Sequence, residues 1–171
     1  MRNSSLDRLV LEHLPAALRF ATRLTGDPHR AEEIVQEALL RVVRSWNTFR
    51  GEAAFRTWLF RIVINVFRDR LARSDAIEVP IDDLDELIDE GGTDAAETAM
   101  AGELEQLIAK EVSRLPARQR EVLVLTVYEG LSAREVAGVV GISAANVHST
   151  LSAARARLKA RLAPYLKSVE K

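Results

Sequence analysis

The chain has 171 residues, 47% of them hydrophobic, enough to bury the core of one medium domain or two small ones. Cysteine is absent and the three histidines, His13, His29 and His148, are scattered. Disulfides, thiolate zinc sites and cysteine nucleophiles are thereby excluded, and neither a metal nor a cofactor is expected. The formal charge of -1 conceals a strong segregation. Residues 1–73 carry 13 Lys/Arg against 8 Asp/Glu, residues 74–109 carry 12 acids and no base, and residues 110–171 carry 11 bases against 5 acids. Two basic segments around an acidic one point to polyanion partners.

No apolar run approaches the roughly 20 residues of a membrane helix. The N-terminal stretch MRNSSLDRLVLEHL carries Asp7, Glu12 and His13, so it does not read as a signal peptide. A cytoplasmic protein without a membrane partner is the expectation.

In the first basic segment, Leu6, Leu9, Val10, Leu14, Ala17, Leu18, Ala21 and Leu24 recur at helical spacing, and Gly26 ends that helix. Asp27 reads as the N-cap and Pro28 as the first residue of the next helix, HRAEEIVQEALLRVVRSW. At about 100° per residue, Ala31, Ile34, Val35, Ala38, Leu39 and Val42 gather on one side. Glu33, Gln36, Glu37, Arg41 and Arg44 gather on the other, with Leu40 in their midst. That face is either solvated, with one exposed leucine of the ordinary kind, or a docking surface with Leu40 at its centre and charges at its rim.

The third helix, FRTWLFRIVINVFRDRLARS, is apolar over most of its circumference, but Trp58, Arg61, Asn65 and Arg68 fall on one line. Arginines can hold phosphates, asparagine can pair with a base edge and tryptophan can stack on a base. The preceding turn, NTFRGEAAF, sets Phe49, Arg50 and Gly51 ahead of Phe55 and suits an unpaired base. Taken singly, Phe55 and Trp58 read as core; the stripe as a whole favours nucleic acid.

The acidic stretch contains Pro80 and Gly91-Gly92 and reads as a linker with one helical turn around Leu84 to Ile88. It is either a solvated spacer that keeps two lobes apart or a nucleic-acid mimic.

In the last segment, Pro116 opens a helix and Gly130 closes it. Ser132 and Glu135 make an S-x-x-E capping box ahead of a short helix with Val136, Ala137 and Val140 on its apolar face. Gly141 permits a tight turn, and Ser143 caps a helix that buries Val147, Leu151, Ala154 and Leu158. The pattern is either an ordinary helical hairpin or a helix-turn-helix, and the basic flank Arg155, Arg157, Lys159 and Arg161 favours DNA docking. The second helix then presents Ser143, Ala144, Ala145, His148, Ser149, Ser152 and Arg155. These small side chains offer no arginine-to-guanine contact beyond the distal Arg155, so groove shape and backbone approach should carry the selection.

The order RFATRLTGDPHRAEEIVQEALLRVVRSWNTFRGEAAFRTWLFRIVINV, acidic linker, LPARQREVLVLTVYEGLSAREVAGVVGIS resembles the bacterial sigma factors of the extracytoplasmic-function (ECF) group, from Leu14 to Leu162. The resemblance implies an all-α chain of two small helical domains joined by an acidic linker. Residues 1–73 would be a region 2-like domain, 74–109 the linker and 110–171 a region 4-like helix-turn-helix domain. It implies a transcription initiation factor, not an enzyme. Glu33, Gln36, Glu37, Leu40 and Arg41, with Arg44 beside them, would dock on the clamp coiled coil of the largest RNA polymerase subunit. Phe49, Arg50, Gly51, Phe55 and Asn65, with Trp58, Arg61 and Arg68 from the stripe, would take promoter DNA at the minus-ten element. The linker would thread toward the polymerase active site and exit channel. The second domain would read the minus-thirty-five element and touch the flap of the second-largest subunit. An anti-sigma protein is a further candidate partner. The sequence departs from the family's K-S-R-L-like run at Thr150, in H-S-T-L. Its end at Lys171 leads to the expectation that no further regulatory domain follows. A palindrome-binding helix-turn-helix regulator and a small helical hydrolase are the competing classes. The Trp58–Arg68 stripe speaks against the first, and the lack of a His/Cys/Asp cluster and of a glycine-rich phosphate loop speaks against the second.

Overall fold

The computed structural model describes residues 4–51, 53–75 and 96–169, and every regular element within them is helical. The first lobe comprises α1 (Ser4–Thr25), α2 (Pro28–Ser45), a single 3-10 turn (Trp46–Thr48) and α3 (Phe55–Asp75). The second comprises α4 (Ala96–Ser113), α5 (Ala117–Leu123), a π-helical turn (Val124–Tyr128), α6 (Ala133–Val140) and α7 (Ala144–Val169). No single helix among these residues is long and apolar enough to cross a membrane.

α2 begins where Asp27 and Pro28 place it. The Asp27 Oδ1 accepts from the backbone N–H of His29 at 2.8 Å and of Arg30 at 3.4 Å. Pro28 occupies a position where an N–H would find no helical partner, so its lack of one costs nothing. Ala31, Ile34, Val35, Ala38 and Val42 are buried, as the stripe requires, and Leu39, its remaining member, is half-buried. Phe20 of α1 meets Phe60 of α3 at 4.4 Å between ring centroids and fills the middle of this lobe. α3 is apolar over most of its circumference because it is enclosed on those sides: α1 and α2 pack on one and α6 of the second lobe on another, while Arg61 and Asn65 stay exposed.

In the second lobe, α4 starts at Ala96, so it runs through the boundary at Lys110 that the charge pattern draws. The helical turn expected around Leu84 to Ile88 lies outside the described residues. After Leu123 the helix widens by one residue, and the Glu129 N–H bonds the Val124 carbonyl at 3.1 Å. α6 opens on the capping box: the Ser132 Oγ accepts from the Glu135 N–H at 3.3 Å, and Glu135 Oε2 accepts from the Ser132 N–H at 2.8 Å. Gly141, at φ +78°, takes the left-handed conformation that turns α6 into α7, and the two helices meet at 94°.

The lobes are not held apart. Their buried side chains form one continuous cluster, with α3 against α6 and α1 against α4 and α5. At one point the approach is backbone-close: a Cβ at Gly26 would lie 2.8 Å from the Ser113 Cβ.

Candidate polymerase and nucleic-acid interface

The outer face of α2 carries the six residues assigned to polymerase docking. Glu33, Gln36 and Arg44 are exposed, and Glu37 and Arg41 are half-buried. Leu40 is 58% exposed in their midst. Val43, one turn on, is 62% exposed and extends the apolar centre. Its helical angle could have revealed it, since it too lies outside the buried stripe. The surrounding charges are organised across α2 and α3. Arg41 reaches Glu37 at 2.6 Å and Asp69 at 2.8 Å, while Arg70 reaches Glu33 at 2.5 Å and Glu37 at 3.5 Å. The Arg41 hydrogen bond, backed by the Arg41, Arg70 and Arg73 charges, holds the Glu37 carboxyl below its ordinary value. Asp69 and Arg70 are additions to this face; they come from α3, and no pattern within α2 points to them.

A shallow cleft is lined by Arg41, Arg44 and Ser45 of α2 and by Ile62 and Asn65 of α3, and these two helices are joined by the loop before α3. There four rings pack together. Phe49 lies 5.5 Å from Trp46, 5.8 Å from Phe55 and 4.9 Å from Trp58. Phe55 is buried at 5% exposure and forms the floor, whereas Phe49 and Trp58 are half-buried and Arg50 and Gly51 are exposed. Single-residue core packing therefore describes Phe55, while the loop rim remains open above it.

The expected stripe on α3 divides. Arg61 and Asn65 are exposed. Arg68 is not free to meet DNA: its Nε and Nη2 donate to Glu121 Oε1 at 2.8 Å and Oε2 at 2.6 Å, and Nη2 also donates to the Val140 carbonyl at 3.0 Å. The sequence line is as drawn, but its last member faces the second lobe. Arg56 and Arg23 make a parallel set on Glu129, at 2.5 Å and 3.3 Å.

On α7 the Ser143 Oγ accepts from the Asn146 N–H at 3.1 Å and fixes the helix start. Ser143, Ala145, His148, Ser149, Ser152 and Arg155 are exposed together. Ala144 departs from expectation and is half-buried against the turn. Val147, Leu151 and Ala154 are buried and Leu158 is half-buried, which leaves the opposite face unoccupied by this chain. Asn146, absent from the sequence-based assignment, is exposed beside that face and carries the one amide there. Its identity is legible in the sequence.

Comparison with known proteins adds the family. The Sigma-70 region 2 family matches residues 9–77 and the Sigma-70 region 4 family matches residues 105–158. The chain is 30% identical to the RNA polymerase sigma-H factor of Pseudomonas aeruginosa, over 95% of this chain and 89% of that protein. It is 34% identical to the ECF RNA polymerase sigma factor SigM of Mycobacterium tuberculosis, over 95% of this chain and 79% of that one. Among solved structures it is similar to the sigma factor RpoE of Bartonella quintana in complex with the anti-sigma factor NepR. That match has a TM-score of 0.74 at 26% identity and covers 92% of this chain and 96% of the other. It is also similar to CnrH in complex with the cytosolic domain of CnrY, with a TM-score of 0.69 at 27% identity, over 95% and 90%. Two helical lobes, a helix-turn-helix in the second and relatives matched over 79% or more of their own length agree: the chain belongs to the ECF RNA polymerase sigma factors, which direct promoter-specific transcription initiation.

Proposed function

We propose a division of labour between the lobes. The α2 face around Leu40 and Val43, rimmed by Glu33, Gln36, Glu37, Arg41 and Arg44, docks on the clamp coiled coil of core RNA polymerase. The rim of the aromatic loop, with Arg50, Gly51, Arg61 and Asn65, captures a base of the minus-ten element and so melts the promoter. The exposed face of α7 lies in the major groove of the minus-thirty-five element, and the second lobe touches the flap. Neither lobe need bind tightly alone. Once the polymerase fixes both, the second contact becomes intramolecular and the two affinities multiply through effective concentration. Melting then needs no nucleotide: extruding a base costs a few kcal/mol, which stacking and pocket hydrogen bonds offset.

The observation that carries this reading is Leu40, 58% exposed at the centre of an organised charged face. An apolar centre with a polar rim is the pattern of a protein interface. An anti-sigma protein is a further partner, supported by the partners named for RpoE and CnrH. The test is co-purification with core polymerase followed by run-off transcription. Leu40→Asp should abolish both while leaving thermal stability within about 0.5 kcal/mol, as for other surface substitutions. Promoter binding and transcription that survive Leu40→Asp would overturn the docking assignment. Operator binding without any transcript would favour a conventional regulator.

A further inference from the structure

The first turns of α7 are bare of fixed charge. From Ala144 to Ala154 they carry no lysine, arginine, aspartate or glutamate, and His148 is the single side chain there that can take up a proton near neutrality. His148 is exposed, and among the described residues it has no hydrogen-bond, ion-pair or ring partner.

Helical spacing fixes where it stands. Val147, Leu151 and Ala154 are buried, so Ala145, Ser149, Ser152 and Ala156 form the centre of the opposite face. His148 and Arg155 lie seven positions apart, within about 20° of each other around the helix and about 10 Å along it. Both stand about 80° from that centre, on one flank. Small side chains at the centre let a groove approach closely, and a flank meets the groove wall, which is phosphate.

The helices packed against α7 are α4, α5 and α6, and their charges are engaged away from the ring. On α4, Glu111 holds Arg114 and Arg161, and Arg161 lies 13 positions, about 20 Å, along α7 from His148. Glu103, Glu105 and Lys110 are exposed on the same helix. On α5, Glu121 is bound by Arg68, while Arg118 and Arg120 donate to backbone carbonyls. On α6, Glu135 closes the Ser132 capping box beside the exposed Arg134. None of these carboxylates bonds His148, and within α7 the nearest charge in sequence is Arg155, two turns on.

We propose that His148 is a proton-dependent ligand for a DNA phosphate, so that the second lobe grips duplex DNA more firmly in mild acid than above neutrality. The proposal rests on the placement of α7 in the major groove and adds the regulation of that site. A phosphate attracts the protonated ring and gains nothing by charge from the neutral one, so binding takes up a proton. By linkage the gain is complete in acid and is lost as the ring gives up its proton with rising pH. Arg155 keeps its charge throughout, so the flank holds one cation when the ring is neutral and two when it is protonated.

In the closed molecule, with its lobes packed together, this face is open, so the full chain serves for the test. Its affinity for a labelled mixed-sequence duplex of about 20 base pairs is measured by fluorescence anisotropy from about 50 to about 200 mM salt, at about pH 5.5 and about pH 8. Each neutralised phosphate adds about 0.9 to the steepness of log K against log salt. The parent slope should steepen by about one on acidification, with affinity about tenfold higher at the lower salt. His148→Gln should keep the shallower slope at both pH values, and His148→Lys the steeper one. The exposed His29 of the first lobe supplies the control, and His29→Gln should behave as the parent. Equal steepening in the parent and His148→Gln overturns the proposal, and so does duplex binding too weak to measure in acid at low salt. A pH effect that His148→Gln removes without any change of slope places the ring on a base and overturns the phosphate contact. Failure of the underlying placement shows differently. Ser152→Glu sets a carboxylate at the centre of the face, and unchanged affinity in that variant at both pH values removes α7 from the groove.

Discussion

Gly26 and Ser113 touch across the two lobes so closely that a single added carbon at position 26 would stand 2.8 Å from the Ser113 Cβ. Gly26 also sits at φ +72°, where a side chain is strained in its own backbone. Gly26→Ala should therefore cost about 2 kcal/mol through strain and overpacking together. Thermal denaturation should show a midpoint about 5 °C lower. Adding Ser113→Gly should restore the packing part but not the backbone part. A full return to the parent midpoint would mean that backbone strain contributes nothing.

Glu37 gives the pH dependence of the docking face. Its carboxyl is held below the ordinary 4.5, chiefly by the Arg41 hydrogen bond, so the fold favours the ionised form. The stabilisation is complete above that ordinary value and is lost as pH falls through the lower, folded-state value. Because the pair lies at the surface, where water and salt screen it, it amounts to about 0.5 kcal/mol. The melting midpoints of the parent and Glu37→Gln should thus differ slightly at neutral pH and converge as pH falls well below 4.5. A difference that grows on acidification would reverse the assignment.

Asn146 is expected to read a base. An amide can pair with both N6 and N7 of adenine, and the small neighbours Ala145 and Ser149 leave room for the groove to approach. Asn146→Ala should lower transcription about tenfold on a promoter with the preferred base and remove the preference at one position of the minus-thirty-five element. An equal loss on every promoter variant would instead place Asn146 on a phosphate.

Local signals are legible in the sequence wherever their chemistry is local. The Asp27 cap with Pro28, the Ser132–Glu135 box, the turn at Gly141 and the buried stripe of α2 all involve residues within a few positions of one another. Their geometry comes from helical spacing and hydrogen-bonding capacity. The apolar circumference of α3 is visible too, and enclosure by both lobes is its reason. The seam is not legible. Arg68 and Glu121 are 53 positions apart, and counting charge by segment makes both segments basic. The two acids that matter vanish into the net value of the second segment. The same count hides the start of α4, because AETAMAGELEQ is rich in helix formers as well as in acid. Phe20 does not stand out among its apolar neighbours, although it is wholly buried against Phe60.

The widened turn at Val124–Tyr128 makes the shape of the closed molecule depend on helix length as well as on composition. Such a turn amounts to one surplus residue in an α-helix, and each residue rotates the downstream chain by about 100°. Deleting that residue would leave every charge in place yet swing Glu129 away from Arg56 and Arg23. Sister chains that differ by a single codon there should close at another angle, or stay ajar, with identical arginines.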